Sequence, residues 1–233
     1  MNRIVLSMVC AALPLCAAPA NPQEQVDALL AKIDKSAQNI QTFQSKFKQT
    51  TESKALDEKD EAGGRLYFVK KPSAQPDQAP VYLLRFDYLD PDPSIMIMNE
   101  AQVIFQKPGF EPEIHQLVDD LKTDTLLAGF TSTERLRRNF LIKLGRETAS
   151  RVTLVLTPVS DVACRNFREL RITFNRTTWL PIAVYQHKAN DERITFQFDE
   201  IKVNYTIAAE KFSAQSLKKP AAKTPAAKKP TGR

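Results

Sequence analysis

The chain has 233 residues, 42% apolar and 26% charged, a composition that suits one folded domain, or two small ones, rather than a disordered chain. No stretch of 18 apolar residues occurs, which excludes a bundle of membrane-spanning helices, and two histidines and three cysteines leave little material for a metal cluster or a disulfide scaffold. The net charge of +6 is unevenly spread: Arg3 lies in the first twenty residues and six cations with no acid lie in 216–233, which leaves 21–215 at −1.

Residues 1–20 read as a signal peptide. Arg3 gives a positive start, Ile4 to Leu15 an apolar stretch, and Ala18-Pro19-Ala20 small residues at the positions a signal peptidase reads, so cleavage before Asn21 is expected. Leu13-Pro14-Leu15-Cys16 has some look of a lipoprotein signal, but Leu15 is too bulky for the position before a lipidated cysteine. Cleavage would remove Cys10 and Cys16 and leave Cys164 alone, with no intramolecular disulfide; a small buried apolar residue is the expectation for it.

The mature chain opens on a helix, with Val26, Leu29, Leu30, Ile33, Ala37 and Ile40 at helical spacing and charges on the other face. Strands follow. Phe43 to Thr51 alternates with polar neighbours, Leu66 to Val69 follows Gly63-Gly64, and Tyr82, Leu84, Phe86 and Tyr88 put four large groups on one face. Ile95 to Met98 and Val103 to Phe105 are separated by a turn at Asn99-Glu100. Asp119 to Phe140 loses the alternation and predicts two short helices, with a hydroxyl cap candidate just before Glu134. Strands resume at Leu141 to Leu144, Val152 to Thr157, Phe167 to Phe174, Leu180 to His187 and Ile194 to Val203. Many short antiparallel strands with few helices predict a strongly curved sheet or partial barrel, and a barrel of about eight or more strands can enclose an apolar cavity.

The 21–215 domain is followed by a basic tail, 216–233, that repeats Lys, Ala and Pro and has no apolar face to bury, so disorder is expected there. Nucleic-acid binding fits an exported protein poorly. Two readings stay open: a solvated, solubilising tail, or attraction to an anionic surface such as lipid headgroups, at roughly 1 kcal/mol per lysine.

The chain has no GxSxG, HExxH, Walker or GxGxxG motif. His115 and His187 stand far apart in ordinary strand or loop sequence, and the pairs Asp119-Asp120 and Asp191-Glu192 lie in polar runs with turn character, where solvated loop charge is the better reading. No enzyme and no cofactor is expected.

FQSKFKQT (Phe43 to Thr50), GGRLYFVKKP (Gly63 to Pro72) and LRFDYLDPDP (Leu84 to Pro93), then LTPVSD, FRELRITFN, LPIAVYQ and ITFQFDEIKVNYTI in the second half, resemble in their order the outer-membrane lipoprotein carrier protein family, LolA. Phe212 matches the phenylalanine that closes the family's domain, and the likeness runs from about Gln23 to Phe212. The resemblance implies an α+β fold: a curved antiparallel sheet forming an incomplete, half-open β-barrel with helices as a lid over an apolar cavity. It implies a monomeric periplasmic carrier of acylated lipoproteins or a related lipid, loaded by an inner-membrane lipoprotein-releasing transporter and unloaded at an outer-membrane acceptor. A lipid- or lipoprotein-sensing regulator, or an envelope-docking protein on the same fold, is the alternative.

By resemblance the cavity candidates are Phe47, Leu66, Phe68, Leu84, Phe86, Met96, Met98 and Phe105, with Leu126, Leu127 and Phe130 where the family's lid helix lies. Lys71 stands where the family has an arginine that latches lid to barrel, and lysine lacks that planar multi-donor fork.

Overall fold

The computed structural model describes residues 21–72, 80–99, 102–116, 133–213 and 217. Helix α1 (Pro22–Gln38) starts where Asn21 accepts a hydrogen bond from the Gln23 amide at 3.0 Å, with Pro22 in the first turn. Glu24 near its start and Lys35 near its end complement the helix dipole. Its apolar stripe, Val26, Leu29, Leu30, Ile33 and Ala37, is buried.

Eleven strands form one antiparallel sheet: β1 (Thr42–Ser53), β2 (Glu58–Lys71), β3 (Val81–Asp90), β4 (Ser94–Met98), β5 (Gln102–Gln106), β6 (Glu113–Gln116), β7 (Phe140–Glu147), β8 (Arg151–Pro158), β9 (Phe167–Asn175), β10 (Pro181–Lys188) and β11 (Glu192–Val203). The order β6-β5-β4-β3-β2-β1-β11-β10-β9-β8-β7 is two meanders joined along β1 and β11, with β6 and β7 as edges, so the curved sheet stays open. Two short helices, α2 (Glu134–Asn139) and α3 (Asp161–Asn166), precede β7 and β9.

The sheet has two apolar faces. Period-2 alternation sends Phe43, Phe47, Leu66, Phe68, Leu84 and Phe86 to an inner face, where they form one cluster with α1 and with β7–β11. On β2–β5 the intervening residues Tyr67, Leu83, Ile97 and Ile104 form a second, outer cluster, covered by Phe212 and Leu217 of the C-terminal segment. Phe212 sits in a 3₁₀ turn (Ala209–Phe212). Buried Arg85 fixes this segment by donating to the Lys211 carbonyl at 2.7 Å and to Asp87 at 2.5 Å. Lys211 in turn lies 4.1 Å from the Tyr67 ring centre. Leu217 is buried two residues past Gln215, where the domain was expected to end.

Several elements differ from the sequence reading. β2 begins at Glu58, eight residues ahead of Leu66, because it pairs with the polar end of β1 as far as Ser53↔Glu58, where no apolar alternation marks a strand. β6 is exposed throughout, a short polar edge with no core face to signal it. Helix α3 lies between two expected strands, where the sequence reading placed no element; Ser160 caps it by accepting from the Ala163 amide at 3.2 Å. Ala163 takes the buried position there, so Cys164 is exposed, against the expectation of burial. Of the two helices expected in 119–140, α2 lies among the described residues; 119–132 lies outside them. Asp90 to Pro93 links β3 to β4.

Candidate functional site

The inner face is built from the strand alternation upward. β1 places Phe47 opposite Gly64 on β2, and the glycine leaves room for the ring: a Cβ at Gly64 would stand 3.0 Å from it. Around Phe47 gather Phe86, edge-on at 5.3 Å, and Tyr88, edge-on at 5.1 Å, with Phe196 and Phe198 of β11 beyond them. The Tyr88 hydroxyl donates to Gln49 at 2.8 Å, and burial pushes its pKa up to about 12, so the ring stays neutral.

Toward β5 the lining gains methionines and becomes less buried. Register pairs Leu84 with Met98, Phe86 with Met96, Met96 with Phe105 and Met98 with Val103. Met98 is buried, whereas Met96, Val103 and Phe105 are half-buried. Phe68 stacks on half-buried Tyr82 at 5.9 Å. The result is a dry aromatic floor that grades into a flexible, thioether-containing rim, a surface suited to irregular apolar groups.

Phe47, Leu66, Phe68, Leu84, Phe86 and Met98 thus meet in one cluster, with Met96 packed against it and Phe105 beside it on β5. Leu66, Phe68, Leu84 and Phe86 are at most 2% exposed, which makes them floor rather than wall. Leu126, Leu127 and Phe130 lie outside the described residues. Lys71 ends β2 opposite Val81 and is exposed. Tyr82, Tyr88, Phe196 and Phe198 were not among the sequence candidates. Their signal was present as aromatic alternation in VYLLRFDY and ITFQF, but a ring at that spacing reads equally well as plain core.

Helix α2 is pinned to α1 beside this face. Thr133, the hydroxyl cap candidate, makes no cap hydrogen bond; its amide and hydroxyl both donate to the Asp34 carboxylate, at 2.7 and 2.8 Å. Arg137 donates to Asp27 at 2.6 Å. A cavity of about 240 Å³ lies between Val26, Leu30, Arg137, Phe140 and Ile142, small beside the roughly 300–1,000 Å³ usual for a ligand pocket. Thr133 is fully buried, so Asp34→Ala leaves two buried donors unpaired and is expected to cost about 3 kcal/mol. Asp34→Asn, which keeps one acceptor oxygen, should cost less. Urea midpoints of the two variants check this order, and equal midpoints in both and wild type would contradict it.

His115 is exposed beside Glu113 and half-buried His187 lies beside Asp191, on different hairpins. Among the described residues no group of three or more His, Cys, Asp or Glu is placed to hold a metal ion, and no described helix is long and apolar enough to cross a membrane.

Among solved structures, the fold is similar to a DUF1329 family protein from Desulfovibrio piger, at TM-score 0.48 and 10% identity over 85% of this chain and 100% of that one. It is similar to MucB in a Pseudomonas aeruginosa MucA/MucB complex, at TM-score 0.43 and 12% identity, over 81% of this chain but 60% of that one. It is also similar to the LolA superfamily protein NE2245 from Nitrosomonas europaea, at TM-score 0.41 and 10% identity over 82% and 98% of the two chains. No curated protein matches the chain. The family model described as outer membrane lipoprotein carrier protein LolA matches residues 38–215, a span that holds every strand of the sheet and the whole inner face. The chain belongs to the LolA family.

Proposed function

We propose that the protein is a non-enzymatic periplasmic carrier that holds the acyl chains of lipoproteins, or a related lipid, against the inner face and moves them towards the outer membrane. The observation that carries the reading is the gradation of that face, from the buried Phe47–Phe86 floor to the half-buried rim of Met96, Val103 and Phe105. Each methylene left in water costs about 0.8 kcal/mol, so a chain of about fourteen methylenes resists desorption by roughly 11 kcal/mol, and several chains by more. A soluble carrier must offer an apolar surface of comparable worth. Leu126, Leu127 and Phe130 serve as the lid in this reading, and Lys71 as its latch. An inner-membrane releasing transporter supplies the loading energy and an outer-membrane acceptor takes the cargo.

The test is release. Vesicles containing a triacylated lipoprotein and its releasing transporter, given ATP, should yield a soluble one-to-one complex with the added protein. Lipoprotein that stays in the vesicle pellet would contradict the reading.

The +6 tail supports an accessory contact with an anionic surface. Phe212 and Leu217, which precede the tail in sequence, are buried on the outer face, opposite the proposed acyl site. Deleting residues 218–233 should therefore leave acyl-probe affinity unchanged while abolishing salt-sensitive adsorption to phosphatidylglycerol vesicles. Loss of acyl binding with the tail would overturn this division of labour.

A further inference from the structure

The two halves of the sheet treat their outer faces differently. On β2–β5 the chain covers its own outer face with Phe212 and Leu217. On β7–β11 the outer face carries a groove of about 370 Å³, and among the described residues no segment of the chain fills it.

The groove follows from the strand register. Thr153, Thr173 and Ala183 lie abreast on β8, β9 and β10, and these small side chains make a low floor across three strands. Val155, Arg171, Tyr185 and Thr195 lie abreast in the next row and form a taller wall. Arg146 of β7 stands at one end. The Thr153 and Thr173 hydroxyls bond each other at 2.9 Å, which leaves a hydroxyl proton and lone pairs for a further partner.

The charge in the groove is positive. Among the described residues no carboxylate pairs with Arg146, and the neighbouring Glu147 is held by Arg176. Arg171 bonds Glu169 through its Nε at 2.6 Å and lies 5.2 Å from the Tyr185 ring centre, which orients the guanidinium along the wall.

We propose that this groove is a docking site for an acidic peptide segment of a partner protein. Two arginines, a tyrosine and a set of threonine hydroxyls match carboxylates and backbone amides, and Arg and Tyr are favoured anchors of protein contacts. The chain's own tail is excluded as occupant because its six cations would meet like charge. A bilayer engages projecting apolar groups, and this lining is recessed and hydroxyl-rich. The site uses the face opposite the proposed acyl site, so it stands or falls independently of the carrier reading.

The test uses the full chain and a fluorescein-labelled twelve-residue peptide of alternating Glu and Ser that carries one photo-cross-linking residue. Arg146→Glu should weaken binding by about tenfold or more, while Arg146→Lys, which keeps the charge, should stay within about threefold of wild type. Thr173→Trp, which fills the floor, should also weaken binding, and thermal melts verify that all three variants fold. Cross-links should map to β8–β10. Equal binding by wild type and Arg146→Glu, or cross-links confined to 218–233, would overturn the proposal. Groove-dependent binding to phosphatidylglycerol vesicles in place of the peptide would overturn it in favour of a lipid surface.

Discussion

Phe86→Glu is expected to yield no stably folded protein, whereas Met96→Glu should fold and lose acyl binding. Phe86 is 1% exposed and packs between Phe47, Tyr88 and Phe196. A carboxylate there would lose the ring contacts and be desolvated without a cation beside it, so the cost should exceed the roughly 3–5 kcal/mol of a Phe→Ala core truncation. A domain is stable by only about 5–15 kcal/mol, so circular dichroism should show little native signal. Met96 is the cross-strand neighbour of Phe86 but half-buried, so its carboxylate can reach water. Met96→Glu should melt within a few degrees of wild type and fail to bind a fluorescent fatty-acyl probe. A folded Phe86→Glu, or a Met96→Glu variant that still binds the probe, would contradict the division into floor and rim.

Gly64→Ala is the second large effect. A Cβ built at Gly64 would stand 2.0 Å from the Asp87 carbonyl oxygen and 3.0 Å from the Phe47 ring. The near atom is backbone, so it cannot turn aside as a side chain can. Relief requires β2 and β3 to separate at the irregular pairing beside Gly63, where Gly63 faces Asp90 and Gly64 faces Tyr88. That movement would also disturb Arg85 and Asp87, which hold the C-terminal segment through Lys211. A loss of about 3 kcal/mol or more is expected, since overpacking here adds to lost pairing. Gly63→Ala is the control: its nearest neighbour, the Phe47 carbonyl oxygen, is 3.6 Å away, an ordinary contact. Chemical denaturation should show a large drop for the first and a small one for the second; similar drops in both would contradict the argument.

Much of this architecture was legible in the sequence because one face of most strands is dry. Tyr82, Leu84, Phe86 and Tyr88 recur at every second position, and their shared inner face follows from a period of two. The first helix was readable for the same reason, its stripe lying on one side. The polar elements were not. The start of β2, the whole of β6 and helix α3 are held by main-chain pairing or by one cap, which leaves little trace in apolar spacing.

The outer apolar cluster was harder still. Leu83, Ile97 and Ile104 interrupt the alternation of their strands, and only the return of Phe212 and Leu217 across β2–β5 explains them. The site was legible in its residues but not in its layering. Phe86 and Met96 look alike as large apolar side chains in neighbouring strands, and burial alone separates them. Thr133 shows the limit from the other side. Its place before a short helix predicts a cap, but Asp34, 99 residues upstream on α1, takes both its donors.

The central claim is that the inner face holds acyl chains. Native mass spectrometry of the protein released from periplasm under mild conditions, followed by solvent extraction of whatever it carries, tests this most directly. The account predicts a bound acylated species at about one per chain, or, for protein that emerges empty, stoichiometric uptake of an added fluorescent fatty-acyl probe that Met96→Glu abolishes. Empty protein that ignores the probe would contradict it, and the inner face would then be a packed core with no cargo.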